Sequence, residues 1–196
     1  MADNAADAPM DRRIRRTRAA IQQALTTLIL EKGFDRVTVT DIIDRADVGR
    51  STFYAHFTDK HDVFDDMIGD LSGYLRGGAT ATAPELFSFS LPLFEHVHEQ
   101  RAVISALFGD GHDSIANKAV SKALSAMVRE ELAPLDARPS NEVPSLDLLV
   151  EFVVATYALV TRNWIDSGFA GSPRELDQNF RSLVIPAVDR AIHPRS

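Results

Sequence analysis

Residues 38–57, TVTDIIDRADVGRSTFYAHF, constrain the fold of this chain more than any other stretch, because they encode two short helices joined by a tight turn. Thr38 is followed three residues later by Asp41, a spacing at which the two side chains can cap a helix start. Apolar residues then recur at helical spacing. Residues 47–49, Asp-Val-Gly, are predicted to end this helix, since Asp tolerates a left-handed backbone and Gly49 can cap the next helix.

The second helix of this pair has an apolar side and a polar side. Phe53 and Phe57 fall four residues apart and are predicted to be buried. The side chains left to point outward are Arg50, Ser51, Thr52, Tyr54, Ala55 and His56. A short helix with a buried apolar spine and a hydrogen-bonding outer face suits insertion into the major groove of DNA. We therefore interpret residues 38–57 as a helix-turn-helix.

These residues resemble the tetracycline-repressor (TetR) family of transcriptional regulators. The matching segments are VTVTDII at 37–43, RSTFYAHF at 50–57, and the lysine of TDKHDVF at 58–64. The resemblance is strong over residues 12–70 and diffuse beyond them. Two positions depart from the family pattern, since Asp47 stands where the family usually has Gly, and Gly49 stands where it usually has Ser or Thr.

The resemblance also implies roles for individual side chains of the motif. Those expected to hold DNA phosphates are Thr38, Thr40, Tyr54, His56 and Lys60. Those expected to lie nearest the base edges are Arg50, Ser51, Thr52 and Ala55. Arg50 can form two hydrogen bonds to a guanine, and the Ala55 methyl group can meet a thymine methyl group. The sequence by itself does not separate base contacts from phosphate contacts.

The distribution of charge supports a DNA-binding head on an acidic body. The 196 residues carry a formal net charge of −7. Residues 10–60, however, contain 10 Lys and Arg against 7 Asp and Glu, whereas residues 61–196 contain 11 against 19. Five arginines between residues 12 and 18 precede the motif, and we expect one or two of them to contact phosphates. Such asymmetry orients a molecule on a polyanion.

Several other classes of protein are disfavoured by the sequence. Without cysteine there is no disulfide framework and no thiolate metal site. The N-terminus lacks the features of a secretory signal and no apolar run reaches the length of a membrane span, so we expect a cytoplasmic protein with no membrane partner. His96 and His98 are two apart on a predicted helix and cannot share an ion. No Gly-rich phosphate loop and no hydrolase or metalloprotease motif occurs, so no enzyme activity, cofactor or metal ion is expected.

Helical periodicity through the rest of the chain predicts an all-α fold in two parts. We expect a disordered tail at 1–9, a three-helix DNA-binding domain at 10–59, a connecting helix at 60–76, and a helical domain for ligand binding and dimerisation at 77–196. Within the second domain, Pro92 predicts either a helix start near Ser90 or a kink.

The last two helices are predicted to join two copies of the chain. Residues 145–167 are apolar nearly all round, so this helix must be buried on more than one side. Residues 172–175, Ser-Pro-Arg-Glu, form a capping box that begins a final helix at 172–192. We expect a homodimer through 145–167 and 172–192 that binds a palindromic operator in double-stranded DNA.

Aromatic and soft side chains of the second domain are expected to line an apolar effector pocket. These residues are Phe94, Phe108, Met127, Phe152, Tyr157 and Trp164. The resulting hypothesis is a repressor released from its operator by a small apolar or aromatic molecule. Two alternatives remain, namely a DNA-binding protein with no small-molecule effector and a transcriptional activator of the same fold.

Overall fold

The computed structural model describes residues 7–77, 86–108, 115–135 and 144–192, and every regular element within these ranges is helical. The α-helices are α1 (Asp7–Lys32), α2 (Val39–Ala46), α3 (Arg50–Tyr54), α4 (Lys60–Gly77), α5 (Ser90–Glu99), α6 (Arg101–Phe108), α7 (Ile115–Leu132), α8 (Leu146–Asp166) and α9 (Pro173–Ile192). Short 3₁₀ turns occupy Phe34–Arg36 and Ala133–Leu135. The predicted all-α fold is confirmed.

The first helix begins earlier than the predicted boundary of the disordered tail. It begins at Asp7 and so includes three residues that we assigned to the tail, while residues 1–6 lie outside the described ranges. Pro9 is tolerated because it falls in the first turn, where its missing N–H has no helical partner. The helix ends at Lys32, and Gly33 follows with φ 76° and ψ 149°, a backbone conformation that is nearly restricted to glycine.

The described helices form two compact units, and the division between them falls inside α4. The first unit runs to Ile68 and also includes residues 102–116, and the second contains residues 69–101 and 117–196. Side chains at the centre of the first unit are Ile21, Leu25, Ile29, Ile42, Phe53 and Val63. Those at the centre of the second are Phe87, Phe94, Val153, Trp164, Phe180 and Val184. The functional boundaries inferred from the sequence stay predictions.

Helix starts in the second unit follow their sequence signals. The α5 helix begins at Ser90, so Pro92 lies in its first turn and produces no kink further along. Ser145 caps α8, with its hydroxyl accepting from the Leu148 amide at 3.3 Å. The α7 helix is described from Ile115 onward, and residues 109–114 lie outside the described ranges.

The start of α9 carries the predicted capping box. Ser172 Oγ accepts a hydrogen bond from the Glu175 amide at 3.3 Å, and a Glu175 carboxylate oxygen accepts from the Ser172 amide at 2.6 Å. Pro173 is the first helical residue. The Ser172 amide and the Ser172 hydroxyl, which both donate to the Glu175 carboxylate, hold the pKa of Glu175 below its usual value because they favour the charged form.

The α8 helix is buried on one side and exposed on the other. Among the described helices it is the one long and apolar enough to cross a membrane by length and composition. It serves here as a core helix, because Val150, Val153, Tyr157 and Trp164 are buried in the second unit. On its other side the large apolar side chains Leu148, Phe152 and Leu159 remain exposed by 56%, 38% and 59%.

Candidate nucleic-acid interface

The first helix of the motif, α2, is capped as predicted. Thr38 Oγ1 accepts from the Asp41 amide at 3.2 Å, while the Asp41 carboxylate accepts from the Thr38 amide at 2.7 Å and from its hydroxyl at 2.6 Å. Lys32 Nζ lies 2.7 Å from the same carboxylate. The Lys32 ammonium and the Thr38 donors hold the pKa of Asp41 well below its usual range, so the cap stays charged at neutral pH. The Thr38 hydroxyl is therefore already engaged in capping α2.

Ionic contacts brace α2 against α1. Arg45 forms two parallel hydrogen bonds, 2.8 and 2.7 Å long, to the carboxylate oxygens of Glu31. On the inner side Ile42 and Ile43 are buried. The bonds from Arg45 lower the pKa of Glu31 and raise that of Arg45, as expected for an ion pair. The orientation of α2 is thus fixed by its apolar face and by polar contacts at its rim.

The turn of the motif has the conformation that its sequence predicted. Asp47 adopts the left-handed region (φ 51°, ψ 49°) and closes α2. Val48 is half-buried, and its amide donates to the Ile43 carbonyl at 3.3 Å. Gly49 is the N-cap of α3 with an extended backbone. The two residues that depart from the family pattern therefore still permit the turn.

The second helix, α3, ends at Tyr54, so Ala55, His56 and Phe57 lie just beyond it, but the predicted buried and exposed sides are present. Phe53 is fully buried and Phe57 is 4% exposed. The exposed positions are Arg50, Ser51, Thr52, Tyr54 and Ala55. His56 is half-buried instead of fully exposed, with its ring 6.4 Å from the ring of Phe57. On α2, Thr40 is exposed in the first turn. The predicted DNA-facing residues thus lie on α3 and the turn that follows it, at the start of α2, and, for Lys60, at the first residue of α4.

Lys60 holds the start of α4 to the turn after α1, a role that sequence reasoning missed. Its Nζ donates to the carbonyl oxygens of Phe34 and Asp35, both at 2.9 Å, and lies 4.8 Å from the centre of the Phe34 ring. Asp59 caps the same helix by accepting from the His61 and Asp62 amides. An ammonium has three donors, so these two carbonyl groups use two of them, and the phosphate contact of Lys60 stays a prediction.

The arginine run at the start of α1 divides into two sets. Arg18 forms an ion pair with Asp66 on α4, and Gln22 donates to the same carboxylate at 3.0 Å. Arg18 is therefore a structural residue that ties α1 to α4. The other arginines of the run, all exposed, are Arg12, Arg13, Arg15 and Arg16. They are the members of the run that remain candidates for phosphate contacts.

The residues predicted to bind an effector are only partly brought together. In the second unit the Phe94 ring stacks on Tyr157 with 4.6 Å between centres and meets Trp164 edge-on at 6.2 Å. Met127 is buried in the same unit. Phe152 is exposed on the opposite side of α8 and lies outside this group, because it is five residues from Tyr157 on a helix. The side chain of Phe108 lies outside the described part of the structure.

Sequence reasoning also missed a polar clasp around Phe87 in the second unit. Phe87 is fully buried with a positive φ of 61°, a strained backbone for a residue other than glycine. The amide of Phe87 donates to Glu131 at 2.7 Å, and its carbonyl accepts from Ser90 Oγ at 2.8 Å and from Arg181 at 3.3 Å. No sequence signal marks a left-handed phenylalanine. Its contacts belong to the second unit and take no part in the DNA-facing surface.

Comparison with known proteins places this architecture in a family. The profile of bacterial regulatory proteins of the tetR family matches residues 21–67, and a profile described as a transcriptional regulator C-terminal region matches residues 85–185. The HTH-type transcriptional repressor KstR2 of Mycolicibacterium smegmatis is 26% identical over 191 residues, covering 89% of this chain and 91% of that protein.

Two further similarities extend over most of the chain. The HTH-type transcriptional regulator YxbF of Bacillus subtilis is 24% identical over 176 residues, and the match spans 85% of this chain but only 44% of YxbF. A crystal structure of a TetR transcriptional regulator from Streptococcus agalactiae superposes with a TM-score of 0.65 at 22% identity, covering 91% of this chain and 98% of the other. The chain belongs to the TetR family of DNA-binding transcriptional regulators, which are not enzymes.

Proposed function

We propose that this chain is a homodimeric repressor that binds a palindromic operator in the bacterial cytoplasm and leaves it when a small apolar or aromatic molecule binds the second unit. The observation that carries the DNA-binding part is the exposed face of α3, held in place by the fully buried Phe53. Such a helix presents hydrogen-bond donors and methyl groups to base edges in the major groove.

Exposed apolar side chains on the last two helices support the dimer. Leu148, Phe152 and Leu159 are spaced by four and seven residues on α8, so they form one stripe. Leu183 on the neighbouring α9 is also exposed, by 56%. Two helices that pack together and both leave large apolar side chains exposed favour a self-complementary contact between two copies. A dimer with a two-fold axis would read a palindrome.

Repression and release are supported more indirectly. The similarity to KstR2, a repressor, favours repression over activation. The aromatic cluster of Phe94, Tyr157 and Trp164 supplies the apolar surroundings in which small ligands bind. A ligand releases DNA only if it binds the free arrangement of the dimer more tightly than the DNA-bound one.

The proposal is tested by selecting bound fragments from random duplex DNA and then measuring the mass of the complex. We expect a palindromic consensus bound by two chains of 21.6 kDa each. Leu159→Glu should give monomers with much weaker operator binding, because a charge on the stripe opposes the contact between copies. Leu30→Glu is the matched control, since Leu30 is 50% exposed in the first unit and should leave the dimer intact. A stable wild-type monomer would contradict the proposal.

Transcription measured from a promoter that contains the selected site separates repression from activation. Lower transcription in the presence of the protein supports the repressor, and higher transcription supports the activator. A screen for compounds that weaken operator binding then tests the effector.

A further inference from the structure

Three side chains on one side of α8 carry buried polar atoms without hydrogen-bond partners. These atoms are Tyr157 Oη, Thr161 Oγ1 and Trp164 Nε1, and the described residues offer none of them a bond of normal geometry. Burying a polar group without a hydrogen bond is unfavourable, so unpaired groups of this kind in a native protein require an explanation. We call Tyr157, Thr161 and Trp164 the donor row.

The donor row lies within one aromatic contact between α5 and α8. Its members are four and three residues apart, a spacing that places them on one side of a helix. Phe94 and His98 on α5 are also four apart, and they stack on Tyr157 and Trp164 with 4.6 and 5.5 Å between ring centres. The Nδ1 atom of His98 is a fourth buried polar atom without a partner. These four atoms therefore lie in one place in the second unit, whereas one further atom of this kind, His61 Nδ1, lies in the first unit.

The chemistry of the donor row defines what it can bind. An indole N–H can only donate, so the missing partner of Trp164 must be a hydrogen-bond acceptor. Burial above all raises the pKa of Tyr157, the Asp177 carboxylate adds to this, and the nearby Thr161 hydroxyl acts the other way. Tyr157 thus stays protonated and can donate. The negative charge of Asp177 disfavours an anionic ligand beside it.

A cleft in the second unit reaches one member of the donor row, Trp164. Its volume is about 260 Å³, close to the lower limit for small-molecule sites. The residues that line it are Val160, Asn163, Trp164, Ser167, Ala170, Leu176 and Asn179. Trp164 therefore belongs both to the donor row and to the wall of this cleft, which lies at the C-terminal end of the row.

We propose that the donor row is the recognition site for an uncharged, flat apolar molecule that carries an acceptor oxygen, such as an aromatic ketone. The oxygen accepts from Trp164 and Tyr157, and the aromatic side chains of α5 and α8 enclose the apolar body. This inference rests on the proposed function only in treating that molecule as the effector. Binding to the row is a separate property that the free protein can show without DNA.

The test uses matched trios of compounds on the full-length protein. The three compounds of a trio share one ring system and differ only in its substituent, which is a methyl ketone, an ethyl group or a carboxylate. The naphthalene trio, for example, is 2-acetylnaphthalene, 2-ethylnaphthalene and 2-naphthoate. Other trios have ring systems of one and three rings. The chain has one tryptophan, so its ¹H–¹⁵N spectrum contains one indole resonance, that of Trp164. We expect the ketone of at least one trio to shift this resonance. Its affinity should be at least about fivefold higher than that of the ethyl compound and of the carboxylate in the same trio.

A conservative variant separates a binding role from a structural one. Tyr157→Phe should weaken the ketone about fivefold, leave the ethyl compound unchanged, and give a melting temperature equal to or above that of the wild type. If the Tyr157 hydroxyl were needed for folding, its removal would instead lower the melting temperature. Tyr74→Phe is the matched control, since Tyr74 is 72% exposed and should change none of these values.

Two results would overturn the inference. One is an indole resonance that no ketone in any trio shifts, which would mean that the row does not bind this class of molecule. The other is an ethyl compound that binds as tightly as its ketone. Operator binding with the ketone present is measured separately. A ketone that binds the row and leaves operator affinity unchanged supports this inference while contradicting release by an effector.

Discussion

Lys60 and Phe34 form a joint between the start of α4 and the turn that follows α1. The Lys60 ammonium donates to the Phe34 carbonyl at 2.9 Å and lies 4.8 Å from the centre of the ring of the same residue. The Phe34 ring in turn packs against Phe64 and against His61, each at 5.3 Å between centres. The lysine that the family resemblance assigns to a phosphate is therefore also part of the scaffold of the DNA-binding unit.

Replacing Lys60 should consequently affect both stability and DNA binding. Lys60→Met keeps most of the apolar stem but removes the donors, and we expect it to lower the free energy of unfolding by roughly 1–2 kcal/mol, since the bonds are charge-assisted but partly exposed. If the third donor holds a phosphate, the slope of log affinity against log salt also falls by about one. Chemical denaturation and salt titration measure the two effects.

Lys122→Met is the control for this experiment, because Lys122 is an exposed lysine of the second unit. Lys122→Met should change neither the free energy of unfolding nor the slope of log affinity against log salt. An unchanged salt slope in Lys60→Met, together with the loss of stability, would show that Lys60 is only a scaffold residue.

Two glycines are predicted to respond in opposite ways to a side chain. Gly49 caps α3 in an extended conformation, and a Cβ there would lie 3.6 Å from the Thr52 hydroxyl, an ordinary contact. Gly49→Ser should therefore raise stability by a few tenths of a kcal/mol, with a slight gain in DNA affinity. Gly33 has a φ of 76°, so Gly33→Ala should lower stability by about 1 kcal/mol. Thermal unfolding of both variants tests the pair, and a destabilising Gly49→Ser would contradict the capping argument.

The cap of α2 should weaken in acid. The pKa of Asp41 is depressed in the folded protein, so its carboxylate stabilises the fold above the unfolded-state value of about 4 and loses this contribution as the pH falls further. Asp41→Asn should thus unfold at a lower temperature than the wild type at pH 7, and the difference should shrink below about pH 4. Asp44→Asn, at an exposed site on the same helix, is the control. A difference that does not vary with pH would contradict the assigned charge contacts.

Side chains on the outer face of α3 should differ from phosphate contacts in their selectivity. Arg50→Ala or Thr52→Ala should lower operator affinity by about 1–3 kcal/mol and relax the preference at one base pair of each half-site. The loss of affinity for random DNA should be smaller. Arg174→Ala, at an exposed arginine of the second unit, is the matched control for charge. Equal losses on operator and random DNA would mean that these residues hold phosphates instead of reading bases.

Local signals in the sequence were sufficient to predict the helices that build the motif. The capping boxes at Thr38 and Ser172, the left-handed Asp47 and the buried pair Phe53 and Phe57 all depend on residues within four positions of one another. Contacts at this range follow from helical geometry, so they can be read from spacing alone.

Long-range polar partners could not be predicted in the same way. The sequence predicts phosphate contacts for one or two of the five arginines in the run and gives no partner for Arg18, which pairs with Asp66, 48 residues away. Lys60 reaches carbonyl oxygens 25 and 26 residues away. The aromatic character of Phe152 favours a place in the effector pocket. The structure instead leaves Phe152 on the exposed side of α8, because the opposite face of this helix packs into the core. Such choices are made by tertiary packing, which a single sequence does not specify.

The spacing of two half-sites tests the central claim most directly. If a rigid dimer places two α3 helices in successive major grooves, their centres are about 34–36 Å apart, one turn of DNA. The affinity for the selected palindrome is compared with the affinity for a duplex in which 5 base pairs, half a turn, are inserted between the two half-sites. The account predicts that this insertion lowers affinity to the level of a single half-site. Unchanged affinity for the 5-base-pair insertion would mean that the chains bind DNA independently, and would contradict the dimeric repressor.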